Sequence, residues 1–448
     1  MPAQPFDATW CLPGMHATLC PVRRFAAVAL ISIWSTSVSS QTAHSGSPPV
    51  VAATYRGAVQ LDPSSGALSS RWALHLTRHA ADSVVLLFNS GFGTLRVTGD
   101  DVVRFTVDTA RGLRRLHVAL RSSPTPRDVR LDVVADGTLQ LDDDGINSVS
   151  TSYTELSLDS FWFPVLDGFP DITGELQLTL PASLEIVASG TVLRAASARR
   201  GWRTTSITST VPLPDFAFVA AKSLAIVSAT RARAVTSTAD TSLVRALLNV
   251  TTDCADYLVS RYGAGQTMPA VTIVLPPRIG PGYARKHYIV VPVGEWQGAA
   301  SEAAARAERQ TSFVCHELAH YWSSGAVANG PENWLNEGFA EFVSGRAVRT
   351  LRGDSAYALV QAQWRTRAAR AGVVWSPSAR ERPTANAAYG KAPLLLATLE
   401  ERIGTPAMEQ ILVQFMTRPL RTTPAVLAMI AATTTPETAE WLALALGK

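Results

Sequence analysis

Cysteine, histidine and charge are all scarce in this chain. Only 4 of 448 residues are cysteine, and two of them, Cys11 and Cys20, lie in a segment that reads as removed on export, which leaves at most one internal disulfide. Charged residues make up 17% and the net charge is +4, with no long basic run, so nucleic acid is not an expected partner. Beyond the first 40 residues there is no apolar run of membrane-spanning length, so the mature chain is expected to have no stable membrane span. There is also no internal repeat. What remains is a chain with 47% hydrophobic residues, long enough for two or three domains around a large core.

The N-terminus reads as an export signal. Arg23 and Arg24 precede the apolar run Phe25–Ile33, and small residues follow through Val38-Ser39-Ser40. A signal peptide over 1–40 is expected, with translation starting at Met1 or Met15, and an uncleaved anchor is the alternative. The protein is expected to be exported, either periplasmic or secreted. Residues 41–49 read as a linker. Of the two remaining cysteines, Cys315 directly precedes a histidine pair. Pairing with Cys254 is open in an oxidising compartment, but two buried free thiols are the favoured expectation.

From 50 to 235 the pattern is that of strands. Asp101–Asp108, Leu113–Leu120 and Glu175–Leu180 alternate, and Asp136-Gly137, Asp144-Gly145 and Ser189-Gly190 read as turns. This predicts an all-β, antiparallel N-terminal domain. From 236 to 448 helices dominate. They are expected over Asp240–Tyr262, Ser301–Ser324, 332–350, 391–403, 406–416 and 424–432, with strands at Val271–Leu275 and His287–Pro292.

The chemistry concentrates in His316-Glu317-Leu318-Ala319-His320 and in Trp334-Leu335-Asn336-Glu337-Gly338. Histidines four apart on a helix share a face, so His316 and His320 are candidate ligands of one metal ion. Glu337 on a second helix would complete a His-His-Glu shell with one position open to water. Glu317 is placed to act as general base. Glu341, one turn after Glu337, either accepts the second ring N–H of a ligand histidine or is a solvated helix carboxylate. Asn336 reads as structural. Tyr389, in Ala388-Tyr389-Gly390-Lys391-Ala392, is a candidate oxyanion donor.

These motifs resemble the M1 aminopeptidase family of the gluzincin zinc metallopeptidases. The resemblance rests on the His-Glu-x-x-His pentapeptide, on Trp334–Gly338 after a gap of 16 residues (two fewer than in the family), and on Tyr389-Gly390-Lys391 before an apolar helix. Trp162-Phe163-Pro164 with Asp167 is similar to the end of the family's β domain. The resemblance implies a saddle-like N-terminal β domain followed by an α+β thermolysin-like catalytic domain. It also implies one Zn2+ per chain, a peptide or protein substrate, and Tyr389 as transition-state stabiliser. One departure stands out. Where the family has Gly-x-Met-Glu-Asn, whose glutamate binds the substrate's free amine, this chain has Gly282-Tyr283-Ala284-Arg285-Lys286. Glu295 and Glu302 are the nearby carboxylates. Aminopeptidase action is the expected activity. The alternatives are an endopeptidase or narrow-specificity peptidase without amine recognition, and a non-catalytic peptide-binding module.

Overall fold

The structure is a computed structural model that describes residues 52–448, except 142–144, 195–199, 238–240, 264–267, 269, 296–302, 324, 328–329 and 419. The expected signal peptide and linker lie outside the described residues, as does Glu302. Among the described residues, no helix is long and apolar enough to cross a membrane.

Strand alternation builds the N-terminal half. Ala52–Asp62 buries every second residue, which puts Ala53, Tyr55, Val59 and Leu61 into the core. This strand lies in a seven-stranded sheet in the order Thr191–Arg194, Trp202–Leu213, Ile172–Pro181, Ala52–Asp62, Ala67–His79, Arg127–Thr138, Phe92–Thr98. The sheet is mixed rather than purely antiparallel, because Ala52–Asp62 and Ile172–Pro181 run parallel. Two four-stranded sheets accompany it. The core between them is aromatic: Trp72 packs against Tyr55, Trp162, Phe163 and Phe216. Gly57 lies opposite Trp72, and a Cβ there would come within 2.3 Å of the indole, so only glycine leaves room for that ring. Asp136-Gly137 is not a turn. It lies inside Arg127–Thr138, where the partner strand shifts register between Phe92 and Thr94, and Gly137 accommodates the close approach of Gly91 at this irregularity.

A five-stranded sheet leads into the second half, in the order Ala225–Ser228, Ala232–Thr236, Val271–Leu275, Tyr288–Val290, Tyr283–Arg285. It begins upstream of residue 236. Tyr283–Arg285 is its edge strand, and Arg285 and Lys286 lie at the end of that edge.

The helices are α1 (Thr241–Tyr262), α2 (Ala303–Ala319), α3 (Asn333–Arg352), α4 (Asp354–Ala368), α5 (Ala392–Ile403), α6 (Thr405–Thr417), α7 (Thr423–Thr433) and α8 (Pro436–Leu446). Helices α4 and α8 are absent from the sequence reading. In α4 the buried residues Ala356, Val360 and Trp364 make a stripe one residue wide, too sparse to stand out as periodicity. Helix α2 ends at Ala319, earlier than expected, because the N–H groups of Tyr321 and Trp322 bond back three residues and tighten the last turn. Cys254 of α1 and Cys315 of α2 form a disulfide with Cα atoms 5.1 Å apart, which corrects the expectation of free thiols. Both are fully buried where the two helices face each other.

Candidate metal centre

Helices α2 and α3 pack side by side, and α3 is buried along almost its whole length. His316 sits in the last turn of α2, and His320 in the tightened turn that follows it. Their Nε2 atoms are 3.1 Å apart. Glu337, in the first turn and a half of α3, places Oε2 at 3.5 Å from His316 Nε2 and 3.4 Å from His320 Nε2. Ligand atoms bound tetrahedrally at zinc distances stand about 3.3 Å from one another. The three donors therefore have the spacing that a single zinc ion requires, and no other cluster of three such residues occurs among the described residues. Glu337 Oε2 is buried without a hydrogen-bond partner, and so is Glu317 Oε1. A buried carboxylate oxygen left in that state calls for a cation or a water. His320 is the most exposed of the three ligand candidates, at 19% against 5% and 8%, so the centre opens to solvent on that side.

Several contacts hold these groups in place. Asn336 bonds the backbone of Ala326 in both directions at 3.0 Å, pinning the connection between the two ligand-bearing elements onto α3. Gly338 lets the 388–392 segment lie against α3, since a Cβ there would meet Ala392 Cβ at 2.8 Å. Tyr389 lies in that segment, in a π-helical turn over Ala387–Lys391, and its ring packs 5.7 Å from that of His316.

Glu341 is not a solvated helix carboxylate. Its Oε2 lies 2.9 Å from His316 Nδ1, in close contact but without a well-aligned hydrogen bond, and its Oε1 accepts a 2.9 Å bond from Trp364 Nε1. Trp364 on α4 and Arg382, whose guanidinium stands 3.6 Å from Glu337 Oε1, are site residues that no local pattern reveals.

The electrostatics separate the three carboxylates. Burial alone would raise Glu337, but His320 and His316 outweigh it and hold it well below the usual carboxylate range. Burial also opposes ionisation of Glu341, and His316 overcomes it. Glu317 differs: burial pushes its pKa up, and the two histidines only moderate the rise. Burial disfavours a charged His316, yet the carboxylates of Glu337 and Glu341 drive its pKa up to about 10 before any ion is bound.

The segment expected near a substrate amine is built differently. Arg285 is 2% exposed and forms a forked pair with Asp215 at 2.7 and 3.0 Å. Arg278 forks onto Glu155 at 2.8 Å through both nitrogens. Two buried ion pairs thus join the N-terminal β region to the edge of the five-stranded sheet. The side chain of Glu295 lies outside what is described.

No protein-family model matches the chain. The fold is that of M1 zinc metallopeptidases. The M1 zinc metallopeptidase of Deinococcus radiodurans superposes with a TM-score of 0.64 at 20% identity, covering 88% of this chain and 93% of its own. A mutant of that enzyme bound to a Tyr-Ser-Ala substrate superposes equally well, with the same identity and coverage. Leucine aminopeptidase 2 of Aspergillus terreus is 24% identical over 204 residues, and the same enzyme of Aspergillus niger matches at the same level. The match spans 43% of this chain and only 31% of the length of those curated relatives.

Proposed function

We propose that this chain is an exported zinc metallopeptidase that hydrolyses peptide bonds, with one zinc ion per chain held by His316, His320 and Glu337. The observation that carries this reading is the convergence of those three donors, at 3.1 to 3.5 Å, beside a buried Glu317. Zinc, when bound, supplies a Lewis acid that polarises the scissile carbonyl and acidifies water. Glu317 takes a proton from the attacking water and delivers it to the leaving amine. Its raised pKa suits a group that must hold that proton between the two steps. Tyr389, whose ring packs against His316, donates to the oxyanion. Glu341, braced by Trp364, orients the His316 ring. The architecture that goes with this reading is a saddle-like β domain followed by a thermolysin-like domain, which takes in the five-stranded sheet from Ala225 onward rather than starting at 236.

Similarity to leucine aminopeptidases supports removal of N-terminal residues. Arg285 favours a second reading. It stands where the amine-binding glutamate is expected, its guanidinium is committed to Asp215, and the position offers a substrate ammonium no carboxylate. An endopeptidase, or a peptidase that accepts blocked N-termini, fits that position better. Cleavage-site mapping by mass spectrometry on peptides with free and acetylated N-termini separates the two. Trimming of free N-termini alone means aminopeptidase action, and equal cutting of acetylated peptides removes it. Peptide binding with no cleavage by the zinc-loaded protein leaves a non-catalytic module.

A further inference from the structure

Beside the metal centre lies a second feature that the reaction does not use. An open pocket is lined by Lys286, Tyr321, Trp322, Phe415, Arg418 and Arg421, among others. Three of these side chains are cationic. Asp171 is the acidic group whose ionisation Lys286 and Arg421 influence, so positive charge prevails. Two walls connect directly to the reaction site. Tyr321 and Trp322 follow the ligand candidate His320, and Lys286 follows the edge strand Tyr283–Arg285, which contacts α2.

We propose that this pocket binds a carboxylate of the peptide substrate, either an acidic side chain or the C-terminal α-carboxylate, and so selects acidic or short peptides. The inference rests on the metallopeptidase reading. Two guanidinium forks suit a planar carboxylate, and the lysine adds a third positive contact. Arg285 contributes little here, because Asp215 already neutralises it.

The test uses the zinc-loaded protein and a set of matched peptides: glutamate against glutamine at each position, and a free against an amidated C-terminus. Wild type is compared with the double variant Arg418→Gln, Arg421→Gln. Both positions are exposed, so the fold should survive. Binding of the same peptides to Glu317→Gln protein is measured by calorimetry, which needs no turnover. One of the carboxylates should improve KM and binding by at least about tenfold over its uncharged counterpart, and the double variant should bring that ratio towards one. The peptide set identifies whether a side chain or the C-terminus supplies the anion. No preference for any carboxylate, or a preference that survives in the double variant, overturns the proposal. Failure of the metallopeptidase reading looks different: wild type then cuts no peptide at all, while the calorimetry still decides whether the pocket prefers a carboxylate.

Discussion

The seam and the metal centre are both buried charge clusters, and they are finished to different degrees. In the seam between the β region and the edge strand, Asp215 meets Arg285 and Glu155 meets Arg278, each through a two-pronged pairing. Asp215 also accepts the Leu158 N–H at 2.6 Å. At the metal centre, Glu337 Oε2 and Glu317 Oε1 are equally buried but have no hydrogen-bond partner, and two imidazole nitrogens face each other at 3.1 Å. A closed cluster of this kind fixes one arrangement of the chain. An open one has stored its desolvation for something that comes from outside. The contrast separates a joint from a site without reference to any relative.

Breaking the open cluster should have the largest effect. His320→Ala removes a ligand without disturbing the seam, and we expect bound zinc and peptide hydrolysis both to fall to background, measured by metal analysis and peptide turnover. Breaking the closed cluster should act on stability instead. Asp215→Asn leaves Arg285 buried without its charge partner and should cost about 3–5 kcal/mol in denaturant unfolding, with zinc retained by the folded fraction. Tyr389→Phe sharpens the comparison from within the site. It removes one hydroxyl, should lower kcat by about a hundred- to a thousandfold, and should leave zinc content unchanged. Glu341→Gln is the mildest change, with zinc affinity falling by about 10–100-fold in a chelator competition.

The open cluster also predicts a direction with pH. Metal-free His316 holds a proton up to about pH 10, and a ligand must give it up. Zinc affinity should therefore rise with pH through the neutral range, with about one proton released per ion bound near pH 7. Calorimetry in buffers of different ionisation enthalpy counts that proton, and its absence would mean that His316 is already neutral in the metal-free protein.

The two clusters were unequally legible in the sequence. His316 and His320 are one helical turn apart, and Glu337 lies at the start of the next helix, so local spacing alone brings them to one place. Tyr389 and Gly338 stand out because they sit in short patterned segments. The seam depends on partners 70 residues apart for Arg285 and 123 for Arg278, and no periodicity links residues that far along the chain. Trp364 escaped for the same reason: its indole matters only because α4 folds back onto Glu341. The disulfide was misjudged because pairing depends on which faces α1 and α2 present to each other. The strands of the β region were visible as alternation, but not their parallel pairing, because register between distant strands is set by the assembled core.

The most direct test of the central claim is Glu317→Gln, assayed for bound zinc and for peptide cleavage in the same preparation. Glutamine keeps the shape of the side chain and cannot take up a proton. The account predicts one zinc ion per chain, as in wild type, and cleavage reduced by about a hundredfold or more. Full cleavage in that variant would contradict it.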